Sequence, residues 1–173
     1  MSNTANYSVH ERLRDGSTVE IRALRPEDEA GMLDALDQTS AQSLRRRFFI
    51  TKRHFSEKER AFFMNIDFVN QVALVAQVEQ ADRTMIIGGG RYVVFEPGRA
   101  EMAFVVIDAW QGRGVGNILA RHLSALAREA GLKELTAEVL PENSAMRRVF
   151  EKLGFKPAPS QDPQAIHLVL KLG

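Results

Sequence analysis

Apolar and polar residues alternate over Thr18-Val19-Glu20-Ile21-Arg22, directly after the turn pair Asp15-Gly16, which is the period-two pattern of a half-buried strand. Pro26 and the acidic Glu27, Asp28 and Glu29 then precede Met32, Leu33 and Leu36 at helical spacing, predicting an amphipathic helix to about Asp37. A second helical piece is expected over Leu44 to Phe49. Ser56 with Glu59 forms a capping-box pattern ahead of Ala61, Phe62 and Met64, a further short helix. Val72 to Val78 and Met85 to Phe95 are apolar and β-branched, and the polar Gln80-Ala81-Asp82-Arg83 between them predicts a hairpin with a loop longer than two residues. Pro97-Gly98 marks the next turn. From Glu101 to Ile107 a strand follows, and its unbroken apolar run from Met102 implies a place inside a sheet, buried on both faces.

The remaining pattern reads helix, strand, helix, strand. Ile118, Leu119, His122, Leu123 and Leu126 share one stripe of a helix from about Gly114 to Glu129, closed by Gly131. Glu134 to Val139 is a strand. Asn143 or Ser144 caps a helix bearing Met146, Val149, Phe150 and Leu153, closed by Gly154; Pro157 to Pro163 is a loop, and Ile166 to Leu172 the last strand. Residues 1–16 are read as a flexible N-terminal segment and the chain 1–173 as one domain.

Composition narrows the chemistry more than the fold. A chain of 173 residues, 45% hydrophobic and 26% charged, suffices for one core. Its net charge of +1 gives no general attraction to nucleic acid or membrane, so any anionic ligand must be recognised by a local patch. With no cysteine there is no disulfide, thiolate nucleophile or cysteine zinc site, and His10, His54, His122 and His167 never fall at ligand spacing, so no metal is expected. His122, among leucines, reads as a packing or surface residue. The polar stretch Met1 to Ser8 lacks the apolar core of a signal peptide, and no stretch is apolar for the roughly 18 residues of a membrane span, so the expected compartment is the cytoplasm.

The informative segment is Gln111-Gly112-Arg113-Gly114-Val115-Gly116, where a strand runs through alternating glycines into a helix. Unobstructed backbone N–H groups at the positive end of a helix dipole bind phosphate, although the same glycines also fit a plain tight strand-to-helix turn. The P-loop's Gly-Lys-Ser/Thr ending is absent, and glycines at 112, 114 and 116, late in the chain, do not match the spacing of the dinucleotide fingerprint.

Val106-Ile107-Asp108-Ala109-Trp110-Gln111-Gly112-Arg113-Gly114-Val115-Gly116 resembles the signature of the GNAT acetyltransferase superfamily, with Gln111, Gly114 and Gly116 at the defining positions of its Q/R-x-x-G-x-G/A pyrophosphate motif. The similarity runs from Thr18 to Phe155 and includes Asn143 and Leu153-Gly154-Phe155. The resemblance implies an α/β (α+β) fold: a single domain with a central mixed, mostly antiparallel twisted sheet of six to seven strands, about four flanking helices, and a splay between the fourth and fifth strands. It implies acetyl-CoA as co-substrate, bound by Phe104, Val105, Val106, Gln111, Gly112, Arg113, Gly114, Val115, Gly116, Asn117 and Asn143. Asn143 serves equally well as a helix cap. The resemblance also implies a bulge near Val105 or Val106 that frees a backbone N–H for an oxyanion.

Acetyl transfer to an amine requires loss of the ammonium proton, hence a base. Glu101, entering the central strand just before the thioester site, fits that role, as does a plain reading as an edge glutamate that solvates a strand end. Glu96, Glu138 and Asp108 are lesser candidates. The superfamily often uses a tyrosine on the last helix to protonate the departing thiolate; Phe150 occupies that region, and the only tyrosines are Tyr7 and Tyr92.

Within the superfamily, Leu24-Arg25-Pro26, Ser43 to Phe49, Ser56-Glu57-Lys58-Glu59 and Val72 to Ala76 resemble bacterial protein-lysine acetyltransferase (Pat-type) domains. That implies a lysine on a protein, such as an acyl-CoA synthetase, as acceptor, and a monomer or homodimer without nucleic acid or membrane partners. The alternatives are a small amine (amino acid, polyamine or antibiotic) as acceptor, or a non-catalytic acetyl-CoA-binding module, against which Glu101 argues. Arg45-Arg46-Arg47, with Lys52 and Arg53, reads as a solvated helix face or as a contact for the CoA 3′-phosphate or an acidic protein surface.

Overall fold

A computed structural model describes residues 6–37, 64, 66–139, 141, 144–159 and 165–172. The described residues form eight strands in one mixed sheet: β1 (Ser8–Arg12), β2 (Thr18–Ala23), β3 (Gln71–Gln80), β4 (Arg83–Glu96), β5 (Arg99–Val106), β6 (Glu134–Val139), β7 (Lys156–Ala158) and β8 (Ile166–Lys171). Their order across the sheet is β1-β2-β3-β4-β5-β6-β8-β7. Among the described residues three α-helices flank it: α1 (Glu29–Asp37), α2 (Val115–Glu129) and α3 (Ser144–Lys152). The helices expected over 44–49 and from Ser56 lie outside the described residues.

Every pairing is antiparallel except β5 with β6, which is parallel and extends only from Arg99–Glu134 to Glu101–Thr136. Beyond that rung the two strands part. The splay expected between the fourth and fifth strands counted from Thr18 is thus the gap between β5 and β6, because β1 adds a strand at the edge. Ser8–Arg12 falls within the stretch read as flexible; it pairs with β2 from Ser8–Arg22 to Arg12–Thr18.

Helices α1 and α2 cover opposite faces, as the consecutive glycines of β4 show: a Cβ on Gly89 would meet Met32 of α1, whereas one on Gly88 would meet Leu119 of α2. Even-numbered residues of β5, from Ala100 to Val106, are buried under α2 with Leu119 and Leu123. At Gly88 a Cβ would stand 2.8 Å from the Val105 carbonyl, so these glycines let β4 and β5 approach.

Two local expectations need correction. Gln80 pairs with Arg83, so the β3–β4 hairpin turns on two residues, Ala81 and Asp82, both at positive φ (49° and 63°). Aspartate tolerates that conformation, but Ala-Asp lacks the glycine that signals such a turn. Within the expected 157–163 loop, Lys156–Ala158 pairs with β8; Pro157 is accommodated because β7 is the outermost strand.

A buried ion pair ties β2 to the turn before α1. Arg22 Nη1 and Nη2 donate to Asp28 Oδ2 and Oδ1, each at 2.8 Å, and Arg22 Nη2 also donates to Gln77 Oε1. Burial alone would raise the Asp28 carboxyl, but bonds from Arg22 and the Arg25 N–H outweigh it and hold the group below its ordinary value. Its stabilising contribution is therefore present above the unfolded carboxylate pKa and is lost as pH falls through the lower folded value. Asp28→Asn is expected to destabilise the fold by about 3–5 kcal/mol, since it strands a buried guanidinium. Urea melts of both proteins at pH 7 check this.

Candidate active site

The parting of β5 from β6 exposes one edge of β5. Ile107 N–H donates to the Ile87 carbonyl at 2.9 Å, and antiparallel alternation from that bond turns the Val105 N–H toward β4 and those of Phe104 and Val106 toward the gap. The expected bulge at Val105 or Val106 is absent: β4 and β5 keep register from Gly88–Val106 to Val94–Ala100. The irregularities lie in β4, at Ile87 and Phe95. Open N–H groups thus arise from the splay rather than from a bulge.

The chain leaves β5 through a 3-10 turn, Asp108–Trp110, into the glycine loop. Gln111 Nε2 reaches back to the Val106 carbonyl at 3.0 Å, capping the open edge where the strand ends. Gly112 and Gly114 have φ of +78° and +95°, and a Cβ on either would meet nothing within 4 Å, so glycine is required there for backbone conformation. Gly116 differs. A Cβ there would lie 3.0 Å from Phe104 Cε2, so this glycine lets the start of α2 settle onto β5. Gly114 is the N-cap of α2 without a side-chain cap, and the first described helical bond is Ile118 N–H to the Gly114 carbonyl. Val115, Gly116 and Asn117 present the N–H groups of the first turn at the positive end of a 15-residue helix.

These elements meet at a cleft of about 390 Å³. Of the predicted residues, Phe104, Val105, Val106, Gln111, Gly112, Arg113, Gly114, Val115, Gly116 and Asn117 all line it. Asn143 lies outside the described residues, as do Arg45, Arg46, Arg47, Lys52 and Arg53. The sequence reading missed two further walls: Arg12, Leu13 and Arg14 from the end of β1, and Ala145, Met146, Arg148, Val149 and Lys152 from α3. Arg148 and Lys152 are four apart on one helical face, the one available signal. The lining contains five cations and no carboxylate, giving the local positive patch that a net charge of +1 had required. Arg113 stacks on buried Trp110 at 4.6 Å and pairs with Asp15 at 3.1 Å.

Glu101 is not part of that lining. It occupies the last β5–β6 rung, at the vertex of the splay, and its exposed side chain alternates to the face opposite α2. It lies three positions before Phe104, about 10 Å along an extended strand. No hydrogen bond or ion pair holds Glu101 among the described residues. The lesser candidates are engaged: Glu96 with Arg99, Glu138 with His167 at 2.6 Å, and Asp108 with Gln111. Phe150 is buried between Phe104 and Phe155, with ring centroids 5.4 and 4.9 Å away, a packing role without a proton to give.

A splayed mixed sheet with a glycine loop at the end of the strand bordering the gap defines a class, and the family comparison agrees: the chain belongs to the acetyltransferase (GNAT) domain family, whose model matches residues 18–156. It is similar to Acetyltransferase PA5475 of Pseudomonas aeruginosa, at 32% identity over 160 residues, 91% of this chain and 86% of that protein. The crystal structure of the GNAT domain of S. lividans PAT superposes with a TM-score of 0.87 at 33% identity, covering 95% of this chain and 97% of that one. The fold is shared too with yncA of Salmonella typhimurium, solved with its cofactor acetyl-CoA (TM-score 0.71, 17% identity, 90% of this chain and 94% of that one). The chain is an acetyl-CoA-dependent acyltransferase. No described helix is long and apolar enough to cross a membrane, and no described cluster of His, Asp and Glu is arranged to hold a metal.

Proposed function

We propose that the chain moves an acetyl group from acetyl-CoA to a lysine side chain of a protein, with Glu101 as general base. The observation that carries this reading is the adjacency of the open β5 edge, the glycine loop and Glu101 along one strand and its continuation. The loop N–H groups of residues 112–117 take the pyrophosphate, as expected at a helix N-terminus. Pantetheine pairs with the free edge of β5 beside Phe104 and Val106, which carries the thioester toward the vertex of the splay. There the amine approaches from the face on which Glu101 lies.

Glu101 takes the proton directly or through water, the amine nitrogen bonds to the carbonyl carbon, and the negative charge that develops on oxygen is met by a free β5 N–H. Collapse of this intermediate breaks the C–S bond and releases CoA thiolate; the nitrogen gives up its second proton to water, and the thiolate takes a proton from water. A lysine acceptor is supported by the likeness to the S. lividans PAT domain and by the placement of Glu101, on an exposed surface rather than inside the cleft. Incubating the protein with acetyl-CoA and a host lysate should produce new anti-acetyllysine bands together with free thiol. Thiol release with small amines and no labelled protein would assign the acceptor to the small-amine class instead.

A further inference from the structure

The N-terminal strand is fastened to α2 by contacts that acetyl transfer itself does not require. Glu11 accepts from Arg121 Nη2 at 2.8 Å and meets His122 Nε2 at 2.6 Å, while His122 Nδ1 bonds the Tyr7 hydroxyl. A neutral imidazole satisfies both neighbours by donating from Nε2 to Glu11 and accepting at Nδ1 from Tyr7. The bond to His122 holds the Glu11 carboxyl below its ordinary value, so this link is charged on the Glu11 side at neutral pH. A second fastening lies just past the strand, where Asp15 pairs with Arg113 of the glycine loop. Between the two stand Arg12 and Arg14, exposed and two apart, with Leu13 buried between them as an anchor. Both arginines line the cleft, and neither forms an ion pair among the described residues.

CoA carries two anionic groups, the pyrophosphate and the 3′-phosphate of its ribose. The loop N–H groups serve the first, and Arg113 is already committed to Asp15 and Trp110. We infer that Arg12, the last residue of strand β1, and Arg14, just past it, bind the 3′-phosphate of CoA, and that Glu11, His122 and Tyr7 are positioning residues that hold this strand against the cleft. The inference rests on the cleft being the acetyl-CoA site. A phosphate monoester at neutral pH suits paired guanidiniums, which donate to it in a fixed fork. It also gives a purpose to a charged, polar edge strand that adds little to the apolar core.

Calorimetric titration with CoA and with 3′-dephospho-CoA tests this. Wild-type protein should prefer CoA by about tenfold or more, the expected scale for one or two charge-assisted contacts. Arg12→Ala/Arg14→Ala should reduce that preference to about twofold or less while leaving the affinity for 3′-dephospho-CoA unchanged. Glu11→Gln and His122→Ala should lose part of it, whereas a merely structural role would weaken both ligands equally. Arg12→Gln and Arg14→Gln, single changes at exposed positions, repeat the test if the double variant melts early. An undiminished preference in the arginine variants, or its loss in Arg148→Ala/Lys152→Ala instead, would overturn the assignment to β1. Equal wild-type affinity for the two ligands would overturn the phosphate role alone; wild-type binding of neither would overturn the cleft reading with it.

Discussion

Glu101→Gln is expected to lower kcat by about 10²–10⁴-fold, the usual range for loss of a general base, with acetyl-CoA affinity close to wild type. The substitution preserves shape, and Glu101 is exposed with no bonding partner among the described residues, so the fold loses nothing that would confuse the reading. Because Glu101 lies outside the cleft lining, the cofactor has no reason to notice the change. Turnover near wild type across the pH range would move the base to another carboxylate or to water.

The second large effect is expected on binding. Gly116→Val should weaken acetyl-CoA binding by about a hundredfold, corresponding to loss of roughly two charge-assisted hydrogen bonds. A Cβ at 116 starts 3.0 Å from the Phe104 ring, and that ring is backed by Phe150, so α2 must lift from β5 and carry its first N–H groups out of position. Gly114→Ala makes an instructive contrast. Its Cβ has open space but sits at a φ of +95°, so it strains the loop without a collision and should cost less affinity. A folded Gly116→Val protein, with its melting temperature near wild type and unchanged calorimetric affinity, would remove the cofactor from this loop.

Most of the site could be read in the sequence because it is local. Gln111 to Asn117 is one continuous segment whose glycines report backbone conformation directly, and α2 and β6 have strong periodic patterns that end in glycine or begin after one. The walls contributed from elsewhere were not legible. Strand β1 has one apolar residue, Val9, in five and is held by pairing to β2 and by polar contacts to α2, which leave no hydrophobic period to detect. Arg12 at its end and Arg14 just past it become part of the cleft only when the sheet brings them to the same cavity as Arg113. Phe150 illustrates the reverse case: its spacing correctly announced a core helix, and its aromatic contacts explain why no acid is found there. The source of the open N–H groups was misplaced for a similar reason. A splay depends on how far β5 and β6 stay paired, and no residue in either strand encodes that length by itself.

The central claim is that acetyl-CoA lies between the glycine loop and the open edge of β5, and amide hydrogen exchange with and without the ligand tests it most directly. Bound acetyl-CoA should slow exchange in peptides covering residues 104–106 and 112–117, with little change in β2, β3 or the β3–β4 turn. Protection confined to other elements, in a protein that still releases thiol from acetyl-CoA, would contradict the account.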